Sequence, residues 1–259
     1  MQAGAVVRTP SAWQALLTLI ERQLRLRMKR TTFGLIWPVI GPLFLVFLYV
    51  FVFKHVFRVP IRNYPAFLFA GLLPWTFLAQ SLAQTLMALS SEADLIRRTA
   101  FRYELLVFAR IGSVMPYFAL LLLGFATYQS ATGRLAFRFL PLLVLPLAAL
   151  LLLVAGLSLM LALIDVYNRD LRQVLGNVLT IWFFLAPVVY RPAMVRGSLR
   201  SFVALNPMTP IISGFRNVLF WGRPLAMREI GLELVFTGAF FAACFAIFRR
   251  YADQLPKDV

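Results

Sequence analysis

Residues 90–106 read SSEADLIRRTAFRYELL, a charged island in a chain of 259 residues that is 61% hydrophobic and 14% charged. The runs on either side, residues 63–91 and 111–133, contain no Asp, Glu, Lys or Arg apart from those of the island itself. Each exceeds the roughly 20 apolar residues that cross the hydrocarbon core of a bilayer. Residues 31–53, 139–164 and 173–190 form further uncharged runs. Residues 234–248 form a shorter one, which lengthens if Glu229 and Glu233 sit near headgroups. The expectation is an all-α integral membrane protein built as a single transmembrane domain over 1–259. Its six transmembrane helices fall at 33–57, 64–89, 105–129, 139–165, 172–190 and 228–250.

Ahead of the first span, residues 10–30 place Trp13, Leu16, Leu17, Ile20, Leu24 and Met28 at helical spacing. Arg22, Arg25 and Lys29 fall largely off that stripe. This is an amphipathic helix with a basic face, suited to lying in the membrane interface. The first 30 residues lack a short apolar core with a small-residue cleavage site, so the first span is expected to act as the insertion signal. The formal net charge is +16. A nucleic-acid binder gathers its basic residues on one face. Here they are spread over every connecting segment, which points to anionic lipid headgroups and away from nucleic acid. A basic cluster precedes the first span, and Lys and Arg are modestly more numerous in the segments that an amino-terminus-in topology places inside. Both termini are therefore expected in the cytoplasm. Residues 201–222, SFVALNPMTPIISGFRNVLFWG, are apolar but interrupted by Pro207, Pro210 and Gly214. A re-entrant extracytoplasmic helical pair at 192–222 fits them, because broken backbone at membrane depth is tolerated where protein buries it or water reaches it.

Catalytic groups are sparse. No GxxxxGK(S/T) phosphate loop occurs, and none of Lys29, Lys54 and Lys257 follows a glycine. ATP and its Mg are therefore expected in a partner chain, with no cofactor bound by this one. His55 lacks the Cys and His companions of a metal site, and the single cysteine, Cys244, lies in an apolar run. In LALIDVYNRDLRQ, residues 161–173, Asp165 and Asp170 form the best carboxylate pair. A five-residue step turns roughly 140° round a helix and takes them off a shared face. With Arg169 and Arg172 among them, a capping and ion-pairing cluster at the cytoplasmic end of the fourth span is the simpler reading.

Within the island, Ser91 and Asp94 have capping-box spacing, so a short helix is expected to start near Ser91. Leu95, Ile96 and Phe101 supply apolar knobs; Arg97, Arg98 and Arg102 supply charge. On composition alone such a helix serves as a headgroup anchor, with a protein contact as the other reading. Several longer stretches bear on the choice: TTFGLIWPVIGP (31–42), FLFAGLLPWTFLAQSL (67–82), ADLIRRTAFRYELL (93–106), VYNRDLRQVLGNVLTIWFFLAPVVY (166–190) and ALNPMTPIISGFRNVLFWG (204–222). In their order and spacing, over nearly the whole chain, they resemble the membrane (permease) subunits of bacterial ATP-binding-cassette (ABC) exporters of polysaccharides. That group exports O-antigens, capsules and teichoic acids. The resemblance implies that residues 91–103 are a coupling helix, with Leu95, Ile96, Arg97, Arg98, Phe101 and Arg102 docking in a cleft of a separate cytoplasmic ATPase. It further implies two ATPase copies, a second copy of this chain, a location in the bacterial inner membrane, and a lipid-linked polysaccharide as cargo.

A channel between two copies needs a lining. Phe33, Trp37, Phe44, Phe47 and Phe51 form one stripe along the first span. Aromatic faces stack on the C–H faces of sugar rings with little regard to sugar identity, which suits a sliding polymer. A lipid-facing or helix-packing stripe is the other reading. Trp182, Phe183, Phe184 and Tyr190 add aromatics from the fifth span, with Pro187 as a kink. Pro38 and Pro42 make the first span bendable, and Gly34 and Gly41 allow close backbone approach. At the inner entrance, Arg25, Arg27, Lys29 and Arg30 can attract the pyrophosphate of a lipid-linked glycan. Arg191, Arg196 and Arg200 can meet anionic lipid or acidic sugar at the outer mouth. Three other functions share this outline: an exporter of a small lipophile or drug, an intramembrane enzyme centred on Asp165 and Asp170, and a structural membrane protein.

Overall fold

A computed structural model describes residues 11–29, 37–56, 60–98 and 102–252, with 27–29, 37–39, 55–56, 95, 97 and 98 described by backbone alone. Among the described residues every regular element is a helix. The first, α1 (Ala12–Lys29), opens with a reciprocal cap. The Ser11 amide donates to Gln14 Oε1 (3.1 Å) and the Gln14 amide donates to Ser11 Oγ (3.2 Å), which satisfies two otherwise orphan donors. Its expected apolar stripe splits in two. Ile20 packs on Gly112 of the third long helix, where a Cβ would come within 2.6 Å of Ile20 Cδ1, while Trp13 and Leu17 stay exposed. The helix is thus docked along one edge of the bundle with part of its apolar face left for lipid.

The α2 helix (Trp37–Val50) carries Pro42 inside it and continues as a π-helical turn, Phe51–Val56. Asn63 then adopts the left-handed conformation (φ 55°), which Asn tolerates better than most residues. Pro65 follows in the first turn of α3 (Tyr64–Thr85), a position where its missing N–H costs nothing. The island contributes a 3-10 turn, Ser90–Glu92, and the short α4 (Ala93–Arg98). Next come α5 (Glu104–Ala131), a 3-10 turn Phe137–Leu143 leading into α6 (Val144–Tyr167), and α7 (Leu171–Leu185). The interrupted segment forms α8 (Leu199–Leu205) and α9 (Met208–Arg216), and the last helix is α10 (Met227–Ala252). Among the described residues, four segments are long and apolar enough to cross a membrane: α3, α5, Phe137–Tyr167 and α10. The other two expected spans are helices too, but shorter: Ile40–Lys54 and Leu171–Leu185. The α7 helix stops early because Ala186 precedes Pro187 and is pushed to extended backbone (φ −80°, ψ 140°). Pro187 therefore ends the helix instead of kinking it.

The bundle has two ends. At one, Ser90 meets Asp165 and Arg172, and Arg22 meets Glu92. At the other, the Tyr64 hydroxyl donates to the Val189 carbonyl (2.9 Å) and Gln129 Nε2 donates to the Leu219 carbonyl (2.9 Å). Helices α3, α5, α6 and α7 run between them. The most buried is α3, which packs on α2, α5, α6 and α9; its Thr85 hydroxyl donates to Ser158 Oγ on α6 at 2.9 Å. Among the described residues the most extensively packed helix pair is α6 and α10. A Cβ at Gly156 would stand 2.9 Å from the Phe240 ring and 3.3 Å from the Phe241 Cα. A missing side chain thus sets the approach, as small residues do between membrane helices. Gly156→Leu should destabilise the protein by about 1–3 kcal/mol through overpacking. Gly238→Leu, on the partner helix α10 but with nothing within 4 Å of its would-be Cβ, should unfold near the parent temperature. Thermal unfolding in detergent compares the two.

Candidate functional site

The island is gripped from three sides. Its first three residues, Ser90, Ser91 and Glu92, each engage an arginine from a different helix. From α7, Arg172 lies bidentate on Asp165, with Nε on Oδ1 at 2.6 Å and Nη2 on Oδ2 at 2.8 Å. Ser90 Oγ donates to Asp165 Oδ2 (2.6 Å) and accepts from Arg172 Nη2 (3.0 Å). From α5, Arg110 donates to Ser91 Oγ and to the Gln84 carbonyl (2.8 Å). From α1, Arg22 Nη1 meets Glu92 Oε2 at 3.0 Å. Asp165 is completely buried, where a carboxylate is stable only when its lone pairs are taken up. Arg172 and Ser90 take them up. Charge-assisted, bidentate pairs of this kind are the stronger class of hydrogen bond.

This arrangement separates the two aspartates of the carboxylate pair. Asp165 lies under Arg172, whereas Asp170 is exposed, its amide accepted by the Asn168 side chain (3.0 Å). Among the described residues no group of three His, Cys, Asp or Glu converges as a metal site. Ser91 does not cap α4 through the expected box. Its hydroxyl donates instead to the Met87 carbonyl (2.7 Å), because a 3-10 turn starting one residue earlier has already redirected the chain.

The six expected coupling residues have different places. Ile96 is buried at 1% exposure in the core of its own subunit; it anchors α4 and is not an outward knob. Arg102 is exposed and pairs with the buried Glu104 (3.0 Å) in the first turn of α5, where a carboxylate also suits the helix dipole. Leu95, Arg97 and Arg98 belong to α4 and are described by backbone alone, and Phe101 lies outside the described residues. Of the expected entrance cations, Arg25 is exposed and pairs with Glu21 one turn earlier (2.5 Å). Arg27 and Lys29 are described by backbone alone, and Arg30 lies outside the described residues.

The aromatic stripe of α2 is largely uncovered in the single subunit: Phe44, Phe47 and Phe51 are all exposed. Trp37 is described by backbone alone and Phe33 lies outside the described residues. On α7 the expected lining turns partly inward. Phe183 is buried, stacked on Tyr49 (5.2 Å) and edge-on to Trp75 (5.5 Å). Trp182 is held by a bond from Nε1 to Asn206 Oδ1 (3.1 Å). Tyr190 donates to the carbonyls of Phe184 and Leu185 (3.2 Å each). The exposed aromatic of α7 is Phe184. The helix must fill the space beside Trp75, and the residue one position earlier on the helical wheel faces that space.

At the other end lies a residue that the sequence reading did not single out. Arg216, at 3% exposure, ends α9 with its guanidinium 3.7 Å from the centre of the Phe67 ring. It donates to the carbonyls of Pro187 (2.5 Å), Val188, Tyr190 (3.2 Å) and Phe67 (3.3 Å). Gly71 makes the space: a Cβ there would stand 2.5 Å from Arg216 Nη2. The stretch after α7 thus has its freed carbonyls satisfied by one side chain, as membrane-embedded backbone requires. The signal was present, since a lone cation inside an apolar run is expensive and calls for partners. Of the cations expected at an outer mouth, Arg191 stacks over the Trp221 ring (4.6 Å), while Arg196 and Arg200 are exposed.

An all-helical bundle with long apolar helices, a gripped charged turn at one end and a stapled, broken helical segment at the other describe a multi-pass membrane protein. Residues 14–220 match the ABC-2 type transporter family, and the chain belongs to it. Membership implies an ABC ATPase as partner. The chain is 32% identical over 254 residues to the O-antigen export system permease protein RfbA of Myxococcus xanthus, covering 94% of this chain and 95% of that one. Two Klebsiella pneumoniae proteins of the same name are 26% and 27% identical, covering 86% and 80% of both chains in each pair.

Two substitutions test these ends. Arg172→Met leaves the Asp165 carboxylate buried and unpaired and should cost about 3–5 kcal/mol; adding Asp165→Asn should recover part of that loss, as thermal unfolding of the single and double variants will register. Arg216→Met strips several buried carbonyls of their donor and should cost at least about 2 kcal/mol. It should also speed proteolysis after residue 185, read by limited digestion.

Proposed function

We propose that this chain is the channel-forming membrane subunit of an ABC exporter that moves a lipid-linked polysaccharide, O-antigen or capsule, across the bacterial inner membrane. The observation that supports this most is the similarity to O-antigen export permeases over 94% of the chain. In this reading the protein spans the membrane six times with both termini in the cytoplasm. The shorter apolar helices α2 and α7 serve as the first and fifth spans, and α8 and α9 form the re-entrant pair at the outer mouth. Two copies enclose the channel and two ATPase copies power it. The exposed phenylalanines of α2 suit that role. An exposed aromatic stripe on one subunit becomes a wall when a second copy faces it, and it offers stacking surfaces to successive sugars. Phe33, Trp37, Phe44, Phe47 and Phe51 line the path, joined by Trp182, Tyr190 and Phe184. Phe183 supports them from behind.

The island transmits the stroke. Leu95, Arg97, Arg98, Phe101 and Arg102 dock on the ATPase, while Ile96 and the three-arginine grip carry the push into α1, α5 and α7. Arg25, Arg27, Lys29 and Arg30 gather the pyrophosphate of the cargo at the inner face. Co-expression with the ATPase encoded beside it tests this reading. The two chains should co-purify as a two-plus-two complex that hydrolyses ATP. Arg97→Ala/Arg98→Ala/Phe101→Ala should lose most of the ATPase from the complex, and Phe44→Ala/Phe47→Ala should keep the complex but reduce surface polysaccharide. A chain that purifies alone, unaffected by the triple change, would overturn the proposal.

A further inference from the structure

A cavity of about 680 Å³ lies between α8, the start of α9 and the first turns of α10, within the range of about 300–1,000 Å³ common for ligand sites. Glu233 lines it at 8% exposure, and its Oε1 is buried without a hydrogen-bond partner. Glu229, one turn earlier on the same face, lines it too, as does Arg200 of α8. Among the described residues none of the three forms an ion pair, with one another or with any other group. An unpaired buried carboxylate is costly, so a cation or hydrogen-bond donor from outside the chain is the natural occupant. The unpaired Arg200 asks at the same time for an anion. At the rim, Leu205, Leu232 and Phe236 are large, apolar and exposed, which suits hydrocarbon more than a water-filled path.

We infer that this cavity is a binding site for a zwitterionic phospholipid whose headgroup carries a primary ammonium. The ammonium reaches Glu233 and Glu229, the phosphate meets Arg200, and the acyl chains lie over Leu205, Leu232 and Phe236. A bound lipid would wedge α8 against α10 and set how far the broken segment can open. A quaternary headgroup has the charge but no N–H to give Glu233, and an anionic headgroup has no cation to offer, so the site discriminates by chemistry. The assignment depends on the chain being a membrane protein and not on what it exports.

The test is native mass spectrometry of the full-length chain in detergent, titrated separately with phosphatidylethanolamine, phosphatidylcholine and phosphatidylglycerol. Phosphatidylethanolamine should bind about tenfold more tightly than either of the others, the effect of one charge-assisted hydrogen bond. Glu233→Gln should abolish the preference over phosphatidylcholine. Should that variant fail to purify, Glu229→Gln and Arg200→Gln, both at exposed positions, should each weaken phosphatidylethanolamine binding. Equal binding of the three lipids, or unchanged binding in these variants, would overturn the assignment. So would displacement of phosphatidylethanolamine by a soluble oligosaccharide, which would mark the cavity as part of the sugar path.

Discussion

A chain that breaks its helices inside a bilayer must supply its own partners for every carbonyl and every charge it leaves behind, because hydrocarbon offers none. Two arginine-centred contacts meet that demand here, and the bundle is organised around them. At one end, Arg216 takes the carbonyls freed where α7 stops and holds them against Phe67 of the central helix. At the opposite end, Arg172 and Ser90 neutralise Asp165 where α6 gives way to α7. Each contact sits at a point where the chain changes direction. Without them the carbonyls beyond the Pro187 stop and the Asp165 carboxylate before α7 would lie buried without partners.

The same two contacts connect the extremities of the molecule. Helix α7 leaves the Arg172 grip and arrives at the carbonyls held by Arg216, with Phe183 packed on Tyr49 and Trp75 between. The charged island joins this path through Ser90 and joins α5 and α1 through Arg110 and Arg22. The turn that leads into α4 is therefore tied to three long helices by side-chain contacts. Packed helices and hydrogen-bonded networks with discrete arrangements are the elements by which one site biases another. The 3-10 turn at residues 90–92 is the common origin of three of them.

How much of this was readable beforehand depends on the range of the interaction. The apolar runs, the amphipathic α1, the short helix in the island and the broken segment before α10 all depend on spacing of a few residues, and within the described residues all contain helix. The exposed aromatic stripe of α2 follows from the same short-range periodicity. The orientation of side chains on helices that are apolar all round was not readable. Nothing in WFFL distinguishes Phe183, which is buried, from Phe184, which is exposed. Ile96 likewise looks the same in sequence whether it faces a partner or its own core.

By itself the sequence determined that this protein is helical, lives in a membrane, keeps charge out of its long apolar runs and contains no GxxxxGK(S/T) motif. Those properties are sums over composition and local period, and no tertiary contact can reverse them. Only the tertiary structure decided which cations are structural. Arg22 and Glu92 are 70 positions apart, Arg172 and Ser90 82, and Arg216 and Phe67 149. No periodicity reaches that far. A guanidinium reading the same in every window becomes a lipid contact, a grip or a staple according to what the fold sets within hydrogen-bonding distance of it.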